Sequence, residues 1–197
     1  MEIKKLFNEP KIIGLLGMPN SAKSNLLYYF ITELQKKGKF NLYHFGLRKD
    51  IGGNKINSVK ELEQIKDSLV IIDEMETIFN LENRKHKRQI ENSLRMIFHN
   101  NNILILCSVS ENFKKFISAK CDVIIYKKLF YSDLINGSRV KNVLMDYQDI
   151  NNVKGSEVLN LEKNQALIYD GNYEIVNIPY LKKYDSKINN KNIFSFK

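Results

Sequence analysis

The chain has 197 residues, 43% of them hydrophobic and 27% charged, a composition that suits one soluble globular domain able to bury roughly 70% of its unfolded surface. No stretch approaches the ~18 apolar residues of a membrane span, residues 1–10 lack the apolar core of a signal peptide, and the two cysteines, Cys107 and Cys121, lie in apolar runs without metal-type spacing. A formal charge of +9, from 31 Lys/Arg against 22 Asp/Glu, favours a polyanionic partner such as nucleic acid, although a general Lys and Asn bias would produce it too.

Residues 12–16 form an apolar run that predicts a buried strand. Gly17-Met18-Pro19-Asn20-Ser21-Ala22-Lys23-Ser24 follows, and Leu26, Leu27, Phe30, Ile31 and Leu34 then recur at helical spacing up to residues 36–38. Strand, loop and helix in that order form a phosphate-binding loop, with Ala22 where a glycine is expected before the lysine. Its backbone N–H groups and the helix start can receive phosphates, Lys23 can reach the β- and γ-phosphates, and the Ser24 hydroxyl can ligate Mg²⁺. Alanine is the least damaging substitute where the backbone is already helical, so the motif is weakened and not lost. The competing interpretation is a Ser-containing turn capping an ordinary helix.

Residues 41–45 predict a second strand, Gly52-Gly53 a loop, and Ser58-Val59-Lys60-Glu61 a capping box opening a short helix through Lys66. The apolar run 69–72 ends in Asp73-Glu74. Residues 75–99 read as helical with an interruption near 80–83; the second half is basic on one side (Arg84, Lys85, Lys87, Arg88, Arg95) and apolar on the other (Ile90, Leu94, Ile97, Phe98). Residues 103–107 and 123–126 predict further strands, with a short helix carrying Phe113, Phe116 and Ile117 between them. Asn136-Gly137 is a turn, residues 166–178 a β-hairpin about Asp170-Gly171-Asn172, and residues 182–197 a polar basic tail. The alternation predicts a three-layer α/β fold with a mainly parallel sheet, organised as one domain over residues 1–181.

Asp73 and Glu74 close a strand at the edge where α/β sheets bind ligands. Asp73 can hold the Mg²⁺ that Ser24 contacts, and Glu74 can polarise an attacking water. Solvated carboxylates at a helix start are the alternative. His44, His86 and His99 have no ligand spacing.

Together, residues 12–24 and 69–74 resemble the Walker A and Walker B elements of the additional-strand, catalytic-glutamate P-loop ATPases, which include RecA-like, AAA+ and FtsK–HerA enzymes. The resemblance implies a strand between the two motif strands in space, here residues 103–107, with Ser108 or Ser110 as polar sensor; a helix N-cap is the other interpretation of those serines. The order of later segments is similar to the FtsK–HerA branch, with Gly137-Ser138-Arg139-Val140 in the place of an exposed Ser-Arg segment and 161–180 as the closing strands.

The resemblance implies a RecA-like fold and a Mg²⁺-dependent ATPase. Its ATP-binding set is Gly17, Asn20, Ser21, Ala22, Lys23, Ser24 and Asn25; its metal ligands are Ser24 and Asp73; its catalytic groups are Glu74, Lys23, Ser110 and Arg139. Arg139 would be the arginine finger donated by a neighbouring subunit, with Arg88 and Arg95 as alternatives. The implied activity is translocation of double-stranded DNA by a homo-oligomeric ring, a hexamer or pentamer, packaging a viral genome in a cytoplasm with a capsid or portal-type partner and no membrane. A small-molecule P-loop kinase and a non-catalytic ATP-binding switch are the rival readings.

Overall fold

In a computed structural model, residues 6–36, 38, 40–49, 51–109, 116, 119–129 and 159–184 are described. Their strands are β1 (Lys11–Leu16), β2 (Asn41–Phe45), β3 (Asn54–Lys55), β4 (Ser68–Ile72), β5 (Ile103–Ser108), β6 (Val123–Tyr126), β7 (Gln165–Tyr169) and β8 (Tyr173–Asn177); the helices are α1 (Lys23–Lys36) and α2 (Arg84–His99). They form one eight-stranded sheet in the order β3-β2-β4-β5-β1-β6-β7-β8. The first six run parallel, β7 returns antiparallel to β6, and β8 pairs antiparallel with β7.

The apolar strand runs follow from burial on both sheet faces. Alternate residues feed two cores: Ile12, Leu16, Val70, Ile72, Leu104 and Leu106 pack with Ile90, Leu94 and Ile97 of α2. Ile13, Leu15, Leu69, Ile71, Ile103 and Ile105 pack with Leu27, Phe30, Ile31 and Leu34 of α1 on the opposite face. This is the expected three-layer α/β architecture with its closing hairpin. It also puts β5 between β1 and β4, so the additional strand is where the resemblance implied. Because the three strands are parallel, with Leu16 opposite Ser108 and Ile72 opposite Leu106, their C-terminal ends meet at one sheet edge.

The expected break between residues 75 and 99 is present. A 3-10 turn covers Met75–Thr77, and α2 starts only at Arg84 because asparagines intercept the backbone donors. Asn80 Oδ1 accepts from Glu82 N at 3.1 Å and Asn83 N at 3.2 Å, and Asn83 caps α2 by accepting from Lys85 N and His86 N. The segment read as a capping-box helix through Lys66 is instead a 3-10 helix, Val59–Glu63, with no side-chain cap from Ser58. Glu61 spends its carboxylate on Ser58 Oγ and Asn57 N, both at 3.1 Å. No helix among the described residues is long and apolar enough to cross a membrane.

Candidate active site

The loop leaving β1 turns tightly beneath the sheet edge. At Gly17 a Cβ would meet Ser21 Oγ at 2.8 Å and Lys127 Cβ at 2.9 Å, so only glycine lets the loop pass between them. Met18 N donates to Lys128 O at 2.9 Å, fixing the loop to the segment that follows β6. Asn20 and Ala22 both have left-handed backbones, with φ of 61° and 68°. The expectation that Ala22 sits in helical backbone is therefore corrected. The position has the geometry that glycine adopts freely, and alanine holds it against a Cβ–carbonyl clash of about 1–2 kcal/mol.

Lys23 and Ser24 open α1, whose first turn carries no acidic residue. Its positive end is left for an anion. Lys23 is buried, and its ammonium donates to Gly17 O and Met18 O, both at 2.9 Å. Ser24 Oγ donates to Asp73 Oδ2 at 3.0 Å across 49 residues of sequence, so the two motifs meet in space. Asp73 is buried. Burial pushes its carboxyl above the usual carboxylate range, and hydrogen bonds from the Cys107 thiol and Ser24 partly oppose that rise. Burial and the adjacent Asp73 hold the Cys107 thiol protonated, so it acts as donor. A hydroxyl and a carboxylate side by side are hard oxygen donors of the kind Mg²⁺ takes, with phosphate and water supplying the other positions.

Gly46, just beyond β2, is the second glycine that geometry demands. Its φ is 78°, and a Cβ there would lie 2.2 Å from Asp73 O. That close approach brings the β2–β3 loop over the carboxylates. Arg48 from this loop donates to Glu74 Oε1 at 2.7 Å. Glu74 is itself left-handed, with φ of 54° and ψ of 50°, a kink that turns its exposed side chain to the rim. Glu76 accepts from Val109 N at 2.9 Å and from the Ser108 hydroxyl. A hydroxyl has one proton, so Ser108 can donate elsewhere only after rotating away from Glu76.

These groups line a cavity of about 490 Å³, whose wall also includes Asn20, Tyr28, Lys163, Tyr180 and Tyr184. Asn25 borders it with its amide engaged: Nδ2 donates to Leu181 O at 2.8 Å, and Leu181 N donates back to Oδ1 at 3.0 Å. Lys182–Tyr184 form a 3-10 turn, and Tyr184 stacks on Tyr28 with ring centroids 4.5 Å apart. Beneath the loop, Lys127 is 1% exposed and donates to the carbonyls of Lys163, at 2.8 Å, and Gln165. Desolvation lowers its amine to a pKa of about 8.

The structure thus brings together Gly17, Asn20, Ser21, Ala22, Lys23, Ser24, Asn25, Asp73 and Glu74. Ser110 and Arg139 lie outside the described residues, and Arg88 and Arg95 are on the exposed side of α2. Arg48, Glu76, Cys107 and Lys127 were not expected. Arg48 and Glu76 act through contacts 26 and 32 residues away, which no local pattern marks. Cys107, as the terminal residue of the predicted sensor strand, could have been anticipated.

Fold and loop together have the RecA-like α/β architecture found in P-loop NTPases. Neither a protein-family model nor a curated protein sequence matches the chain. Among solved structures it is similar to the genome packaging NTPase B204 from Sulfolobus turreted icosahedral virus 2 in complex with ATPγS. That match has a TM-score of 0.62 and 18% identity over 88% of this chain and 100% of that one. It is also similar to B204, the DNA-packaging ATPase from Sulfolobus turreted icosahedral virus, with a TM-score of 0.61 and 18% identity over 87% and 99% of the two chains. The pCW3 conjugation coupling protein TcpA with ATPγS matches at a TM-score of 0.59 and 14% identity, over 95% of this chain and 65% of that one.

Proposed function

We propose that this chain is a Mg²⁺-dependent ATPase of the FtsK–HerA type that moves double-stranded DNA as a homo-oligomeric ring, a single-domain motor of the kind that packages viral genomes. The observation that carries the reading is the 3.0 Å hydrogen bond from Ser24 to Asp73, with Glu74 the next residue. A phosphate loop, a metal-type oxygen pair and a candidate base stand at one sheet edge. Likeness in fold to a genome packaging NTPase and a conjugation coupling protein supports the DNA substrate, and the +9 charge is in keeping with it.

In this mechanism the loop from Gly17 to Ser24 wraps the triphosphate with backbone N–H groups. Lys23 exchanges its two carbonyl acceptors for β- and γ-phosphate oxygens. Mg²⁺ held by Ser24 and Asp73 would neutralise charge on those oxygens. Glu74 accepts a proton from water as the water oxygen bonds to the γ-phosphorus, and the bond to the β–γ bridging oxygen breaks, leaving ADP and phosphate. Ser110 would sense the γ-phosphate, and Arg139 would complete a neighbour's site, with Arg88 and Arg95 as alternatives. A capsid or portal-type partner and a cytoplasmic location, that of the host for a virus, complete the proposal.

The Arg48–Glu74 ion pair favours one other reading, an ATP-binding switch in which Glu74 is kept from water. Turnover with and without duplex DNA, in wild type and Glu74→Gln, separates the two. The motor reading expects hydrolysis stimulated by duplex and reduced about 10²–10⁴-fold in the variant, with ATP binding retained. A wild type that binds ATP and never hydrolyses it supports the switch.

A further inference from the structure

Helix α2 carries cations where helix electrostatics disfavours them. Its first turns hold Arg84, Lys85, Lys87 and Arg88 with no acidic residue in the first turn. Each cation near a helix N-terminus opposes the macrodipole, at a cost of about 0.3–1 kcal/mol at low ionic strength. An ordinary solvated face would place acids there. At 100° per residue, Arg84, Arg88 and Arg95 fall within about 40° of one another on the side opposite the buried Ile90, Ser93, Leu94 and Ile97. All three are exposed, and none has a hydrogen bond or ion pair from its side chain among the described residues. Lys85 and Lys87, also exposed, flank the stripe on either side. Among the described residues, the acids Glu91 and Glu63 are engaged elsewhere, Glu91 with Lys120 at 3.6 Å and Glu63 accepting from Ser93 Oγ at 3.0 Å.

We infer that the outer face of α2 is the surface that tracks the phosphates of duplex DNA, with Arg84, Arg88 and Arg95 making backbone contacts. This assignment rests on the reading of the chain as a duplex-moving ATPase. The stripe is about 16 Å long at 1.5 Å per residue, close to five base-pair steps of 3.4 Å. A straight row of arginines with lysines on both flanks complements a polyanion whose charges lie along and across a groove. The contacts go to backbone, so they carry no sequence preference.

The position also connects DNA to chemistry. Glu74 and Arg84 are joined by a connector pinned in the core by Met75 and Phe79, 0% and 2% exposed. Phe79 N donates to Met75 O at 2.8 Å and Asn80 N to His86 Nδ1 at 3.2 Å. A load on the stripe therefore reaches the residue next to Asp73 through packed and hydrogen-bonded structure.

The test is anisotropy of a short labelled duplex, in the presence of a non-hydrolysable ATP analogue, from about 50 to 200 mM salt, with wild type and the triple variant R84Q/R88Q/R95Q. The substituted positions are exposed, and only Arg84 and Arg88 sit near the helix N-terminus that disfavours them, so the variant is expected to fold about as stably as wild type, which its thermal midpoint checks. Three lost phosphate contacts lower the slope of log affinity against log salt by about 2.7, so the wild-type advantage shrinks about 40-fold across that salt range. An unchanged slope overturns the assignment and leaves the motor reading standing. So does loss of turnover with the slope intact, which would place the stripe at a neighbouring subunit's site. A wild type that binds no duplex at all under these conditions defeats the motor reading itself.

Discussion

Ala22 offers the sharpest test of the loop geometry. With φ of 68° it occupies backbone that costs an L-residue with a Cβ about 1–2 kcal/mol. Ala22→Gly removes that cost and introduces an unfolded-state entropy penalty of about 0.4–1 kcal/mol. The midpoints of the two ranges leave a stabilisation of about 0.8 kcal/mol, or a rise in Tm of about 2–3 °C for a chain of this length. Differential scanning fluorimetry of the nucleotide-free protein reads it directly. Ala22→Val is the companion measurement, since a β-branched residue tolerates this region least, and its Tm should fall. A destabilised glycine variant together with a neutral valine variant would show that residue 22 is not left-handed and would refute the argument.

Asp73 is the next target. Its raised carboxyl means that stability is present below the ordinary carboxylate range and is lost as pH rises through the elevated native value. Ionised Asp73 is thus a standing cost at neutral pH. Asp73→Asn should raise the Tm of the nucleotide-free protein, most visibly at neutral and alkaline pH, while weakening Mg²⁺-dependent ATP binding at least about tenfold by calorimetry. For Arg48→Ala, the lost ion pair joins side chains 78% and 49% exposed, so chemical denaturation should register a change of less than about 1 kcal/mol. Its DNA-independent ATPase should rise, because Glu74 no longer shares its carboxylate with a guanidinium; a fall would show that Arg48 aligns Glu74 for the reaction. Lys127 has a native pKa of about 8, well below its ordinary value, so the unfolded chain binds the extra proton between the two values and stability should rise with pH there. Urea midpoints from pH 7.5 to 10 should show that rise in wild type beyond any rise in Lys127→Met; parallel curves would contradict it.

The architecture was legible because strands covered on both faces read as unbroken apolar runs, and because two short motifs named the strand ends that face the ligand edge. Even the break ahead of α2 was visible in its asparagines. What escaped were features decided by tertiary contact. Alanine was the least damaging substitute for glycine at residue 22 on the premise of helical backbone, yet the loop holds it in a left-handed turn, with φ of 68°. Arg48 reaches Glu74 only because Gly46 lets the β2–β3 loop close on Asp73. The pairing of Asn25 with Leu181 spans 156 residues, and an asparagine after the loop carries no mark of such a partner. Lys127 reads as a surface lysine, and only the return of β7 buries it.

Triplex displacement tests the central claim most directly, because it requires ATP turnover to become movement along a duplex. Wild type with ATP and Mg²⁺ should strip a third strand from double-stranded DNA, while Glu74→Gln binds ATP and duplex and displaces none. Displacement by Glu74→Gln equal to wild type, or wild-type hydrolysis that never displaces the strand, would contradict the account.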